Sequence, residues 1–354
     1  MTPFAPMFST LNVRALLVST VATLLLVAAI IAGSRNLQNF DAALVAYLFG
    51  SVFAWFGLVY RYAVWLQRPS TQLYWRRGWQ FFFSGRMFLH GWELVKHAFT
   101  DIAAQSFIRK RGRARWAGHM LMAWGCVIAF AVTFPLTFGW IHFTLAAGTI
   151  DTYVAHVFGF ALFSFPLHGI VAANIFHVLN WSSVMIIVGI GLMMRRRLTD
   201  AGQIAIQTFE GDILPLLLLA AIAVTGLGLT WDYEFMQGRA HQFMGITHAV
   251  TVILFLLWIP FGKFFHIFQR PAQLGVAIYR KEGALGAQAV CPHTKEAFAS
   301  RLHVDDLKKV TGELGYNFTL ADGSSHLDLS PEGKRAALAN AHLAARNKSG
   351  SLFG

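Results

Sequence analysis

The chain has 354 residues, 56% of them hydrophobic and 13% charged, with a formal net charge of +12. A soluble chain of this length builds one or two domains; it does not hold several apolar runs near twenty residues, which is what a helix needs (~20 residues) to cross the ~30 Å core of a bilayer. The cations cluster between those runs, so they speak for membrane topology and anionic lipid and against nucleic acid, and two cysteines with no CxxC exclude an iron–sulfur cluster or a thiolate zinc site by any usual spacing.

Six spans are expected, at 15–33, 42–65, 116–139, 174–194, 211–230 and 243–268. The first is long for the apolar region of a signal peptide and no convincing small-residue cleavage site follows it, so it reads as a retained anchor. Residues 66–115 are too polar to span. They mix aromatic and basic residues ("YWRRGWQFFFSGRMF") and are expected to lie along the inner interface as amphipathic helix. No Lys or Arg occurs between Trp116 and Met194, and then comes "RRR" at Arg195 to Arg197. The basic segments belong on the cytoplasmic side, which places both termini inside and 140–173 and 231–242 outside. The outer segment 140–173 is apolar, carries a single charge at Asp151, and is expected to form a re-entrant or interfacial hairpin. The tail after about 280 is soluble, and in "SPEGKRAALANAHLAARN" Ser330 can cap a helix that starts at Pro331. Cys126 lies in an apolar run and Cys291 in the polar tail, so no disulfide is expected.

Histidine placement carries the functional reading. His248 and His266 stand eighteen residues apart in "THAVTVILFLLWIPFGKFFHIFQRP". On one continuous helix that is five whole turns and a rise of ~27 Å, so both imidazoles would share a stripe at opposite depths of the bilayer. Ionisable groups inside membranes are costly and tend to be functional. A row of two suits two b-type haems, each taking an axial imidazole from this helix. The second ligand for the inner position is expected from His119 in "WAGHMLMAWG", at the cytoplasmic start of the third span. For His248 the partner is His142 or His177, both toward the outer side. His142 needs a kink at Pro135 to come round, whereas His177 needs only that the fourth span pack beside the sixth.

The final span, the preceding "FEGDILPLLLLAAIAVTGLGL" and the span end "GLMMRRRLTD" resemble the gamma subunit of respiratory nitrate reductase. "HMLMAWG" is similar to the membrane cytochrome b subunits of heterodisulfide-reductase-like complexes in the same broad superfamily. The resemblance covers about 42–280. It implies a bacterial inner-membrane, quinone-reactive cytochrome b with one or two haems, in which His119 and His266 hold the inner haem and His248 the outer. Two features depart from that pattern. This chain has six expected spans where the family has five, and Ala129 stands ten residues after His119, where the family carries a second histidine.

The expected fold is therefore an all-α polytopic membrane protein: an N-terminal anchor helix (1–41), a haem-binding helical bundle (42–280) that includes the amphipathic cytoplasmic segment 66–115, and a soluble cytoplasmic tail (281–354). The expected function is electron transfer between the quinone pool and a cytoplasmic iron–sulfur or flavin subunit, since the chain has no cluster ligands of its own. A stand-alone transmembrane haem reductase, a transporter and a purely structural anchor are the rivals. Few acidic residues in the spans, and no paired broken helices, speak against a transporter.

Overall fold

The computed structural model describes residues 11–320 and 323–349, and the chain folds as two compact units. The first comprises the chain up to Val64 and Thr100–Gln269; the second comprises Trp65–Phe99 and the chain from Arg270 onward.

The first unit contains six helices long and apolar enough to cross a membrane. They are α1 (Val13–Gly33), α2 (Val45–Leu66, with a 3-10 turn at Ala42–Leu44), α6 (Arg113–Thr137), α7 (Ile170–Thr199), α9 (Leu214–Met236) and α10 (His241–Trp258). Five of the six expected spans match to within a few residues. A helix bonds its interior backbone polar groups within itself, the only arrangement other than a closed barrel that hydrocarbon tolerates. Asn12 accepts from the Ala15 N–H and opens α1.

α6 and α7 approach closely through small residues. A Cβ on Gly125 would stand 2.7 Å from the Ile186 side chain and 2.9 Å from the Ser182 carbonyl oxygen, and one on Gly189 would stand 2.8 Å from the Gly118 carbonyl. This is the small-residue packing by which helices associate where no hydrophobic force drives them together. α7 also packs on α9, and α9 on α10. Phe130 of α6 stacks on Phe255 of α10, with centroids 6.3 Å apart. These four helices thus form a ring, α6–α7–α9–α10.

The last span is shorter than expected. α10 ends at Trp258, and residues 259–264 turn before a separate short helix, α11 (Phe265–Gln269). Pro260 is the cause. Its missing N–H and its ring both oppose a helix that continues from Leu256.

The outer segment forms strands. It is a three-stranded antiparallel meander, β1 (Ile141–Leu145), β2 (Thr152–Val157) and β3 (Phe160–Pro166), so the chain is helical but not purely so. One face of it packs Phe143, Tyr153, Ala155 and Phe165 against Ala172, Ile175 and Phe176 at the start of α7. Strand alternation sends His142, Thr144 and His156 to the other face. The unit also holds two short helices, α5 (Ser106–Arg109) and α8 (Ala201–Ile206), and a π-helical turn, Phe209–Ile213, before α9.

The second unit joins the first part of the aromatic and basic segment 66–115, up to Phe99, to the tail. It holds α3 (Pro69–Phe82), α4 (Met87–His97), α12 (Gln273–Leu285), a hairpin of β4 (Gln288–Val290) and β5 (Ala297–Ser300), α13 (Arg301–Glu313) and α14 (Pro331–Ser349). α3 and α12 meet where a Cβ on Gly78 would lie 3.1 Å from the Cα of Gly275. Arg77 of α3 makes a two-pronged pair with buried Asp306 of α13, at 2.8 and 3.2 Å, and the Tyr279 hydroxyl donates to the same carboxylate at 3.0 Å. α14 begins as its sequence suggests: the Ser330 hydroxyl accepts from the Gly333 N–H at 3.0 Å. Both cysteines are free.

Candidate functional site

His119 lies one and a half turns into α6. Its Nδ1 stands 2.6 Å from the Gln105 side-chain oxygen. Gln105 immediately precedes α5 and has left-handed backbone angles, φ 48° and ψ 42°, unusual for a residue with a side chain. The indole N–H of Trp116 donates to the Ala104 carbonyl and that of Trp124 to the Ala103 carbonyl, pinning this loop along α6.

His266 sits on α11 and not on the last span. It shares no continuous helix with His248, so the five-turn spacing does not put the two rings on one stripe; that expectation is corrected by the turn at Pro260. His266 Nδ1 donates to the Lys263 carbonyl oxygen at 2.7 Å. The turn that carries it is clamped from two sides. Arg61 of α2 donates to the carbonyls of Pro260 (2.7 Å) and Gly262 (3.0 Å), with its guanidinium over the Phe265 ring at 4.3 Å. Lys263 Nζ pairs with Asp212 at 2.6 Å, and Asp212 also meets Arg197 of α7 at 3.2 Å. Gly57 of α2 lets Pro260 approach, since a Cβ there would fall 2.7 Å from the proline ring. The "RRR", "FEGD" and "PFGK" stretches, far apart in sequence, thus converge on one network beside His266.

His248 of α10 faces α9. Its Nδ1 is 2.9 Å from Thr225 Oγ1, and its Cε1 lies over Gly226. The Thr225 hydroxyl donates to the Ala221 carbonyl at 2.6 Å, so its lone pair is what meets the imidazole N–H. His177, two turns into α7, places Nδ1 2.8 Å from the Ala173 carbonyl. Four histidines on or just after the spans therefore share one arrangement. In each, Nδ1 lies against an oxygen that can accept, the arrangement that favours the tautomer with its proton on Nδ1. Metal-ligating imidazoles are typically held in this way by their outer partner.

His142 does not belong to that set. It lies on β1, directly opposite His156 of β2, and the two rings stack with centroids 4.7 Å apart and planes 9° apart. Thr144 Oγ1 meets His156 Nε2 at 2.9 Å, while His142 Nδ1 is buried without a hydrogen-bond partner. Burial lowers the His142 pKa, and His156 and Arg35 lower it further. Nor does the fourth span pack directly beside the sixth, as the choice of His177 supposed; the close neighbours of α7 are α6 and α9. His177 and His248 touch neither each other nor His142 among the described residues.

Gln105, Thr225, Arg61 and Asp212 were not among the expected site residues. Thr225 did carry a signal, being a polar residue in the middle of an apolar span. Gln105 carried none. No group of three or more His, Cys, Asp or Glu that could hold a metal ion occurs among the described residues. A b-type haem makes no such demand, because its porphyrin fills the iron's equatorial positions and the protein supplies only axial ligands. The donor chemistry of His119, His177, His248 and His266 fits that requirement. No protein-family model matches the chain, and neither a curated protein nor a solved structure matches it.

Proposed function

We propose that this chain is the membrane-embedded b-type cytochrome subunit of a respiratory oxidoreductase complex, passing electrons between the quinone pool and a cytoplasmic iron–sulfur or flavin subunit. The observation that carries the reading is the shared hydrogen bonding of the four span-associated histidines, each with Nδ1 committed to an acceptor. The resemblance of the final span, and of "HMLMAWG", to nitrate-reductase-gamma-like cytochromes points the same way. His119 and His266 are the proposed ligands on the inner side. His248 is the proposed ligand on the outer side. Haem b, when bound, supplies reversible one-electron redox chemistry that no side chain of this protein can supply.

The protein's own part is positional. Gln105 and the Lys263 carbonyl fix the tautomer and ring plane of the two inner histidines. Thr225 does the same for His248 and the Ala173 carbonyl for His177. Arg61 and the Arg197–Asp212–Lys263 network hold the turn that delivers His266. The distribution of Lys and Arg supports a bacterial inner-membrane protein with both termini cytoplasmic. The test is spectroscopic: protein purified in mild detergent should show b-type absorption bands, and a colourless preparation from haem-replete cells would defeat the reading. Polypeptides that co-purify with it identify the redox partner.

A further inference from the structure

Helix α4 is amphipathic in the sense opposite to that of a helix in water. Its polar side faces into the second unit. His90, 1% exposed, has Nδ1 2.7 Å from the Phe81 carbonyl and Nε2 2.9 Å from Glu282 of α12. Glu93 takes a 2.7 Å bond from Lys281 of the same helix. The other side of α4 and its continuation carries Phe88 (89% exposed), Trp92 (67%), Val95 (60%) and Phe99 (69%). At 3.6 residues per turn, positions 88, 92 and 95 form one narrow stripe, and 90, 93 and 97 centre on the opposite side; Phe99 follows in a π-helical turn, Ala98–Ala103. Leu89 widens the stripe, and Phe83 and Trp79 of the preceding segment are exposed as well. Aromatic side chains present about 150–250 Å² each, so this one patch reaches the size that soluble proteins keep for binding.

We propose that this stripe is a membrane-binding surface that seats α4 in the headgroup region of an anionic leaflet. Three observations select lipid as the occupant. The stripe is built of Trp and Phe, the residues that favour a bilayer interface. Exposed Arg68, Arg76 and Lys96 supply the charge that attracts anionic headgroups. The connection is also short: α3 starts three residues after the spanning helix α2 ends, and sixteen residues after α4 the chain re-enters a span at α6, so the sequence keeps the stripe within reach of the bilayer. Because the inward side of α4 is bonded to α12, inserting the stripe would anchor the C-terminal segment with it instead of leaving that segment on a free tether. None of this depends on the haem reading.

The experiment places a nitroxide at Trp92→Cys, and separately at Phe88→Cys, in the full-length protein in nanodiscs of phosphatidylcholine with phosphatidylglycerol. Wild-type protein, whose Cys126 and Cys291 are native, supplies the labelling background. Collision with oxygen is compared with collision with a water-soluble nickel chelate. The proposal expects oxygen to dominate at both sites, as at Leu254→Cys on the spanning helix α10, and the chelate to dominate at Lys309→Cys on α13. Chelate-dominated collisions at 88 and 92 overturn it. So does protection that appears only when a co-purifying polypeptide or a second copy of the chain is bound, because the occupant is then protein. Native gel-filtration elution and circular dichroism qualify each labelled variant, and Leu89→Cys serves in place of any that fails.

Discussion

The two units use histidine in two different ways. In the second, His90 is fully buried and both ring nitrogens are spent, one on the Phe81 carbonyl and one on Glu282. Glu282 is held below the usual carboxylate range by His90 foremost, with Arg86 adding to the effect and burial opposing it. This imidazole is a structural rivet. In the spanning unit, His119, His177, His248 and His266 each place Nδ1 against an oxygen of their own or a neighbouring helix or loop.

The comparison can be broken most sharply at His90. Its replacement by Ala strands the Phe81 carbonyl in a buried place and leaves Glu282 with Arg86 alone, and should cost the second unit about 1–3 kcal/mol. Calorimetry of the purified protein should show the transition of that unit falling while haem content is untouched. Equal loss of haem would mean that His90 serves the cofactor too. Next in size is Thr225→Val, which removes the acceptor for His248 Nδ1 at nearly constant volume. Loss of such an outer partner typically weakens metal affinity about 10–100-fold. Haem titration of the variant should show that drop for one haem only, and unchanged affinity would take Thr225 out of the site.

Arg61→Lys sharpens the account of the turn before His266. A single ammonium cannot reproduce the guanidinium fork on two carbonyls or its stacking on Phe265. A loss of about 1 kcal/mol corresponds to roughly fivefold faster hydrogen exchange at the 259–266 amides. The smallest effect is pH dependence in the outer sheet. His142 has its pKa lowered, first by burial and then by His156 and Arg35. A base whose folded pKa lies below its unfolded value of about 6.5 binds protons more readily when unfolded. Its contribution to stability is therefore complete above about pH 6.5 and is lost as pH falls below it. Exchange at the 141–166 amides, corrected for the intrinsic rate, should rise below that pH in wild type and stay level in His142→Gln.

Hydropathy made the spans legible, because twenty apolar residues have few other uses. It did not locate the end of the last one. Pro260 and Gly262 were in plain view within "LLWIPFGK", yet the apolar character runs on through Phe265, and hydrophobicity alone cannot see a lost N–H. The sheet at 141–166 was hidden in a similar way. Its apolar composition suits an interfacial hairpin of either kind, and only the alternation of Tyr153, Ala155 and Val157 with Val154 and His156 hints at strands. The union of residues 65–99 with the tail had no local signal at all. It rests on pairs such as Arg77 with Asp306, more than two hundred residues apart. Of the candidate site, the histidines could be read from the sequence and the groups that orient them, above all Gln105, could not.

The central claim concerns His119 and His266, and its most direct test is the pyridine haemochrome of the full-length protein beside the His119→Ala and His266→Ala variants. The account predicts b-type haem in the wild type and the loss of one haem per chain in each variant, with both variants still inserted in the membrane. Wild-type protein without haem, or full haem content in both variants, would contradict it.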